Sequence, residues 1–252
     1  MDYRPVDNER QDLGDKTYLD ECVEAAESLI FKTQGDVLVF LPTEADIRET
    51  HNLMDGSFGN EVEILLLFGR LSNRDQQQIF HPGEKRRIVL TTNIAETSLT
   101  VPRIESVIDT GLARVSRYSH ATGTLRLPIE RISRSSADQR KGRCGRLGPG
   151  YCIRIYDEED YLSRDEFTEP EIFRANLGAV ILKLIDLKIP EIHQFPFVDP
   201  PKISAIRSSY KNLQAIGAID LKNRITSLGK RLVGLPIDLS IGCMMLHAEK
   251  LG

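Results

Sequence analysis

The segment QRKGRCGRLGPG, residues 139–150, concentrates positive charge at a spacing that could bind an anion. Gln139, Arg143 and Arg146 stand at positions i, i+4 and i+7, and in a helix such positions share one face. A guanidinium group is always charged and offers a planar fork of donors that matches the oxygens of a phosphate. The spacing therefore predicts a surface that presents one amide and two guanidinium groups to a phosphate-like anion.

The same segment contains two glycines whose positions need an explanation. Ser135 predicts the start of a helix and Pro149 predicts its end, so Gly142 and Gly145 are expected in the helix interior. Glycine in such a position costs about 0.5–1 kcal/mol relative to alanine. We therefore expect a bare strip at the two glycines, where another backbone approaches closely.

A second polar segment, TNIAETSLT at residues 92–100, follows a predicted buried strand. Its hydroxyl and amide groups can bond the phosphates of a nucleic-acid backbone without reading bases. Capping of a short helix is the alternative role for these side chains. Glu96 is expected to organise the loop. The candidate residues for binding a nucleic-acid strand, called the strand-binding residues below, are Thr92, Asn93, Thr97 and Ser98.

Charge is distributed unevenly along the chain, although the formal net charge of the whole protein is −4. Residues 1–27 carry nine acids and three bases, whereas residues 103–154 carry eleven bases and four acids. A basic region in a mildly acidic protein is typical of a polyanion-binding site. A solvated basic surface is the alternative, and charge alone does not separate the two.

The composition is that of a globular protein of one or two domains, with 40% hydrophobic and 28% charged residues in 252. No apolar run reaches the roughly 18 residues of a membrane span, and the N-terminus lacks an apolar signal core. A cytoplasmic protein that contacts no membrane is therefore expected. The four cysteines form no C-x-x-C pair and have no histidine at ligand spacing, so reduced thiols and no metal site are expected.

Short apolar runs alternate with helical segments through residue 156. Helices are predicted at 17–33, 42–54 and 72–80, and strands at 36–41, 62–68, 86–92, 104–110 and 150–156. This alternation predicts an α/β fold in which a parallel sheet is covered by helices on both faces. In such sheets, ligands bind beyond the carboxyl ends of the strands.

Two further regions depart from this alternation. Residues 113–133 contain two alternating runs around a polar Ser-His-Ala-Thr-Gly turn, which predicts a β-hairpin that protrudes from the domain. Helices are predicted at 171–187 and 202–220, followed by a short hairpin or a third element at 224–236. The combination predicts a small, mainly helical winged-helix module, after which residues 237–252 begin another amphipathic helix.

Three segments together resemble the second RecA-like domain of superfamily 2 helicases of the DEAH/RHA group, and most of all its bacterial HrpA-type members. LVFLPTEADI (38–47) resembles motif IV, TTNIAETSLTVPRIESVIDTG (91–111) resembles motif V with its following strand, and QRKGRCGRLGPG resembles motif VI. Pro102-Arg103 stands where the family has Asp-Gly. The sequence contains neither a G-x-x-x-x-G-K-[ST] loop nor Asp-Glu-Ala-His, which the family carries on a first RecA-like domain upstream.

The resemblance implies roles at a nucleotide for the residues of motif VI. Arg143 and Arg146 would be arginine fingers that contact the γ-phosphate of ATP, and Gln139 would orient the attacking water or the phosphate. Arg140 would bind the edge of the nucleotide or have a structural role. Exposed surface ion pairs, worth about 0–1 kcal/mol each, are the alternative for the two finger arginines.

The resemblance also implies contacts with a single strand of nucleic acid. Thr97 and Ser98 would lie between the RNA and the nucleotide and couple the two. The segment FGRLSNRDQQQIF (68–80) resembles the stretch after motif IV, where Arg70 and Arg74 would contact phosphate. Tyr118 or His120, at the tip of the hairpin, could stack on a base, and a hairpin that only packs against the neighbouring domain is the alternative.

From the same resemblance we expect an acidic linker (1–16), a second RecA-like domain (17–165), a winged-helix module (166–236) and the start of a truncated helical domain (237–252). The expected function is the second motor domain of a monomeric ATP-dependent RNA helicase, inactive in hydrolysis by itself. ATP would be shared with an upstream RecA-like domain that also holds Mg²⁺, and this part of the enzyme alone would bind neither cofactor. The substrate would be single-stranded RNA, with DNA or hybrids as alternatives. The competing function is a non-catalytic nucleic-acid-binding or scaffold module derived from a helicase.

Overall fold

The computed structural model describes residues 1–5, 16–58, 61–81, 83–97, 99–119, 124–146, 148–189, 192 and 195–251, with the backbone alone at 250 and 251. The chain divides into two compact units. The first unit consists of residues 1–115 and 128–168, and the second consists of residues 116–127 and 169–252.

A six-stranded parallel sheet forms the centre of the first unit. In spatial order its strands are β1 (Asp2–Tyr3), β10 (Tyr151–Arg154), β5 (Ile104–Asp109), β2 (Asp36–Phe40), β4 (Arg86–Thr91) and β3 (Val62–Leu67). The five predicted strands are confirmed. The sixth, β1, lies in the stretch that we predicted to be an acidic linker, because two residues are too short a run to produce an alternating pattern.

Helices cover both faces of this sheet, as the sequence predicts. In β2, Val37 and Val39 join a core cluster with α1 (Tyr18–Lys32) and α2 (Glu44–Met54). Leu38 and Phe40 point to the opposite face and join a second cluster with α3 (Asn73–Phe80) and α4 (Ile94–Thr97). A strand that is buried on both faces reads as a continuous apolar run, which is why DVLVF shows no polar alternation.

Several helices begin where the sequence provides a capping side chain, among them α1 and α3. Thr17 accepts a hydrogen bond from the backbone of Asp20, and Asp20 accepts one from the backbone of Thr17 in return. Ser72 caps α3 by accepting from the backbone of Asp75 at 3.2 Å. A side-chain cap satisfies a backbone N–H that has no partner within the helix.

The helix of the basic segment is shorter than predicted. α5 covers Arg134–Lys141, is capped by Ser133, and ends at Gly142, so the prediction that Gly142 and Gly145 lie in a helix interior is wrong. Residues 142–145 form turns that follow the helix, and in this position glycine ends a helix at little cost.

The predicted close approach of a backbone occurs at a different glycine. A Cβ atom at Gly145 would meet no atom within 4 Å. At Gly150 it would collide with the carbonyl of Cys144 and lie 2.7 Å from the carbonyl oxygen of Glu105. Gly150 therefore permits the turn after α5 to return into the sheet as β10.

The predicted β-hairpin is present as two antiparallel ladders. β6 (Leu112–Arg114) pairs with β9 (Ile129–Arg131) in the first unit. β7 (Arg117–Ser119) pairs with β8 (Thr124–Arg126) in the second unit. Residues 120–123, which contain the predicted turn, lie outside the described part of the chain.

The second unit is mainly helical. Its helices are α7 (Glu171–Arg174), α8 (Leu177–Asp186), α9 (Ile203–Ala215), α10 (Ser227–Val233) and α11 (Leu239–Leu251), whereas α6 (Glu158–Ser163) belongs to the first unit. The single helix predicted at 171–187 is interrupted because Asn176 caps α8. Of the two alternatives predicted for 224–236, a short hairpin or a third element, the structure has a further helix, α10, and an isolated antiparallel bridge joins Ile219 and Ile225 before it.

One core cluster holds this unit together, and it includes Leu177, Ile181, Leu213, Leu232 and Leu246. The cluster draws on α8, α9, α10 and α11, so the last helix packs in the same core as the others. The proposed boundaries at 165 and 236 remain predictions. Within the described residues, no helix has the length and apolarity that a membrane crossing demands.

Candidate functional site

The carboxyl ends of the parallel strands align along one edge of the sheet. Leu67, Thr91, Phe40, Asp109 and Arg154, the last residues of β3, β4, β2, β5 and β10, are partners in consecutive pairings. The segments that follow β3 and β4 therefore start side by side. This alignment brings Arg70 and the start of the 92–97 segment to neighbouring strand ends, where ligands bind in open α/β sheets.

The candidate strand-binding residues of motif V lie on a short turn of helix at this edge. The backbone N–H of Thr92 donates to the carbonyl of Leu67 at 3.3 Å, which fixes the start of the turn. Asn93 and Thr97 are exposed, whereas Thr92 is partly buried. Ser98, the fourth candidate, lies outside the described residues.

Arg140 is wholly buried in the first unit. Its Nη1 donates to Asp109 Oδ1 at 2.8 Å, its Nε donates to Glu96 Oε2 at 3.0 Å, and its guanidinium carbon lies 4.8 Å from the centre of the Phe40 ring. Both Asp109 and Arg140 have no exposed side-chain surface. This geometry favours the structural role for Arg140, and the alternative, a contact with ATP, stays a prediction.

Glu96 joins the two candidate segments. One carboxylate oxygen accepts from the hydroxyl of Ser136 and the other accepts from Arg140. Its backbone carbonyl also accepts a hydrogen bond from Arg143 Nη2. The expectation that Glu96 organises its loop therefore has a geometric basis, because one residue fastens α4 to α5 and to the turn after it.

Arg143 and Arg146 extend from the turn after α5 to the 96–100 segment. Arg143 Nη1 donates to the carbonyl of Leu99 at 3.1 Å, in addition to its bond to Glu96. Arg146 Nη1 donates to Thr100 Oγ1 at 2.8 Å, and Arg146 and Thr100 are both exposed. The structure thus places these two candidates directly against the predicted strand-binding segment.

Neither Arg143 nor Arg146 has an ion-pair partner among the described residues, and all their described acceptors are neutral oxygens. The pKa of Arg143 is lowered by partial burial and by the nearby charge of Arg146. The two cations therefore repel each other, and the nearby carboxylate of Glu96 opposes this only in part, because it is paired with Arg140.

Gln139 does not join the two arginines. It is exposed on α5 and lines a separate open cleft, together with Arg134, Ser135, Asp138, Tyr161, Glu166 and Phe167. Because α5 ends at Lys141, the i, i+4, i+7 spacing does not continue as one helical face. The role of Gln139 in orienting water or phosphate stays a prediction.

The remaining candidates have different surroundings. Arg70 and Arg74 are exposed, and within the described part of the chain neither side chain forms an ion pair or a hydrogen bond. Tyr118 lies in the second unit. Burial, and then the charge of Asp238, raise the pKa of its hydroxyl, and a hydrogen bond with Asn212 opposes this shift in part. These contacts favour the alternative in which the hairpin packs within the protein.

Pro102-Arg103 lies at the opposite edge of the sheet. Arg103 precedes β5 and has a φ of 63°, a left-handed conformation that glycine adopts easily. Its Nη1 donates to the carbonyl of Gly83 at 2.8 Å, and its Nη2 lies 3.7 Å from Asp36. Arg103 therefore adopts a backbone conformation that glycine favours, at the end of β5 opposite to the candidate site.

Sequence reasoning missed two residues, Asp109 and Thr100. Asp109 accepts from Arg140, from the Tyr156 hydroxyl at 2.9 Å and from the backbone of Gly111 at 2.9 Å. A carboxylate directly after the apolar pair Val107-Ile108, at the end of a strand, was the available signal. Among the described residues, no group of three or more His, Cys, Asp or Glu side chains could hold a metal ion, and the four cysteines are free.

Comparison with known proteins gives consistent matches for both units. Residues 21–148 match the helicase conserved C-terminal domain, and residues 209–237 match the winged-helix helicase associated domain (HA2). The chain is 46% identical over 255 residues to the ATP-dependent RNA helicase HrpA of Escherichia coli K12. It is also 46% identical over 257 residues to the ATP-dependent RNA helicase HrpA homolog of Haemophilus influenzae.

These alignments cover 99% of the chain but only 20% and 19% of the two relatives, so the chain spans about a fifth of their length. The crystal structure of the Escherichia coli DEAH/RHA helicase HrpB aligns with a TM-score of 0.85 and 29% identity. That alignment covers 97% of this chain and 30% of the HrpB chain. Fold, motifs and relatives agree: the chain belongs to the helicase conserved C-terminal domain family, within the DEAH/RHA group of superfamily 2 helicases.

Proposed function

We propose that this chain is the second motor domain, with its winged-helix module, of an ATP-dependent RNA helicase. Arg143 and Arg146 act on the γ-phosphate of an ATP molecule that an upstream RecA-like domain binds. Relatives named ATP-dependent RNA helicase support this reaction class. The observation that carries the proposal is the pair of guanidinium groups, without a described carboxylate partner, beside the 96–100 segment.

Charge compensation distinguishes these two arginines from many others in the first unit. A buried or partly buried cation is costly unless an anion accompanies it. For Arg143, which is partly buried beside a Glu96 carboxylate that is paired with Arg140, the further negative charge would come from the triphosphate, to which a guanidinium fork is geometrically matched. The arginines of this unit that do form ion pairs with carboxylates are Arg4, Arg48, Arg87, Arg103, Arg131, Arg140, Arg154 and Arg164.

The path of the RNA strand is assigned to the same edge of the sheet. Asn93 and Thr97 expose an amide and a hydroxyl, and Arg70 exposes a cation beyond the neighbouring strand. Such groups bind phosphates and sugars without selecting a base sequence. Contacts of this kind, together with those of Thr92, Ser98 and Arg74, suit a motor that moves along RNA of any sequence.

ATP hydrolysis in this class needs a divalent cation, and Mg²⁺ is the ion we propose. Its binding is assigned to the upstream domain by resemblance, together with the loop that cradles the phosphates. The part of this chain is to supply positive charge at the γ-phosphate, where charge develops in the transition state. The chain by itself is therefore proposed to bind phosphate groups but not to hydrolyse ATP.

RNA-stimulated ATP hydrolysis tests this proposal. The chain would be assayed alone and then mixed with a separately prepared first RecA-like domain of the DEAH/RHA group. We expect no turnover by the chain alone, turnover in the mixture, and a loss of about 10³-fold or more on Arg146→Ala, as for arginine fingers elsewhere. Turnover by the chain alone would contradict the division of labour between the two domains.

A matched control separates loss of the finger from loss of charge. Arg48→Ala removes another guanidinium of the first unit, which pairs with Glu44 on the exposed surface of α2. Turnover in the mixture should survive this change. Full turnover by Arg146→Ala would instead leave the alternative of a nucleic-acid-binding or scaffold module.

A further inference from the structure

We propose that the Thr100 hydroxyl is a positioning group for Arg146, and that with the carbonyls of Glu96 and Leu99 it holds both arginines aligned for phosphate before ATP arrives. This inference rests on the proposed function, because it concerns the same two arginines. It adds a residue, Thr100, to which the motif analysis assigned no role. It also makes the 96–100 segment the element that sets the arginine geometry.

The hydrogen bonds around the two guanidinium groups leave donors available. A guanidinium has five N–H donors. Arg143 uses Nη1 and Nη2 on two backbone carbonyls, and Arg146 uses Nη1 on Thr100. The remaining donors have no acceptor among the described residues, so each side chain is held in place without being saturated.

These contacts stabilise one orientation of each arginine in the free protein. A long arginine side chain that is immobilised by its ligand loses rotamer freedom at that moment, which weakens binding. When neutral oxygens of the protein already hold it, this loss occurs on folding and not on binding. A small apolar crevice lined by Leu99, Val101 and Ile104 adjoins Arg143 and Arg146.

Thr100 is where this arrangement can be tested by substitution. The acceptors of Arg143 are backbone carbonyls, which substitution does not remove. The acceptor of Arg146 is a side-chain hydroxyl on an exposed residue, so replacing it leaves the core unchanged. Thr100→Val keeps the size and branching of the side chain and removes the acceptor, and Thr100→Ser keeps the acceptor.

Calorimetric titration of the 252-residue chain with tripolyphosphate at low salt tests the inference directly. We expect Thr100→Val to weaken binding about three- to tenfold, the equivalent of one ordinary hydrogen bond, because Thr100 acts on the ligand only through Arg146, and Thr100→Ser to bind like the unmodified chain. Arg146→Ala should weaken binding by about tenfold or more. Urea unfolding of each variant should give an unchanged midpoint, which excludes a general loss of structure.

The outcomes separate this inference from the proposed function. Unmodified affinity in Thr100→Val, with weak binding by Arg146→Ala, would overturn the positioning role and leave the arginine site intact. Unmodified affinity in Arg146→Ala would overturn the arginine site itself, and the inference with it. Absence of tripolyphosphate binding by the unmodified chain would overturn the claim that the arginines are aligned in advance.

Discussion

Arg140 and Arg146 belong to one short basic segment and use the same side chain in opposite ways. Arg140 has no exposed surface and lies between the carboxylates of Asp109 and Glu96. Arg146 is exposed and donates to one neutral hydroxyl. The first arrangement fixes the helix to the sheet, and the second leaves positive charge available. Six residues of sequence thus separate a structural arginine from a proposed catalytic one.

A third arginine shows that neutral acceptors do not by themselves indicate a ligand site. Arg86 donates to the carbonyls of Gly35, Ile30 and Leu29 and to the hydroxyl of Thr33. It lies at the start of β4, at the edge of the sheet opposite the candidate site, and its donors cap the carboxyl end of α1. Arg146 differs because most of its donors have no described acceptor.

The largest effect expected from the contrast between Arg140 and Arg146 is at Asp109, the ion-pair partner of Arg140. Asp109→Ala should lower the free energy of unfolding by about 3–5 kcal/mol, because it leaves the buried guanidinium of Arg140 without its closest carboxylate. Equilibrium urea unfolding measures this change. Arg146→Ala is the matched change on the exposed side and should stay within about 0.5 kcal/mol. Equal losses of unfolding free energy in the two variants would contradict the contrast between buried Arg140 and exposed Arg146.

A smaller effect is expected at Tyr156, whose hydroxyl donates to Asp109 Oδ2 at 2.9 Å. Tyr156→Phe should lower the free energy of unfolding by about 1 kcal/mol at neutral pH through loss of this hydrogen bond. Burial, and then the charge of Asp109, raises the pKa of Tyr156 above its usual value of 10.0.

The sign of the pH dependence follows from this shift. Because the folded protein holds the tyrosine proton more tightly than the unfolded chain does, its contribution to stability is complete below pH 10.0 and falls as the pH rises above that value. Phenylalanine has no ionisable hydroxyl, so the stability of Tyr156→Phe lacks this pH dependence. The difference between the two proteins should therefore shrink between about pH 9 and pH 11, and a constant difference would contradict the shift.

Much of the fold follows from local patterns in the sequence. The apolar runs within β2, β3 and β4 predict buried parallel strands, and the capping residues Thr17 and Ser72 mark helix starts correctly. The very short β1 was missed because two residues carry no periodic signal. The extent of α5 was wrong because spacing alone does not show whether a glycine interrupts a helix or ends it.

The sequence predicted the residue types of the candidate site better than it predicted the contacts between them. The sequence places Arg143 and Arg146 in one segment, but the segments that meet them are 40 or more residues away along the chain, and only the aligned strand ends bring them together. Burial of Arg140 depends on Asp109 and Glu96 for the same reason. Thr100 carried no signal, because an exposed threonine is common in loops.

The most direct test of the account is to observe which arginines respond to nucleotide. The chain, with its arginines labelled in ¹⁵N, would be mixed with a first RecA-like domain and a non-hydrolysable ATP analogue, and the Nε–Hε resonances would be followed by NMR. The account predicts shifts at Arg143 and Arg146 and none at Arg140. Shifts at Arg140, with Arg143 and Arg146 unchanged, would contradict it.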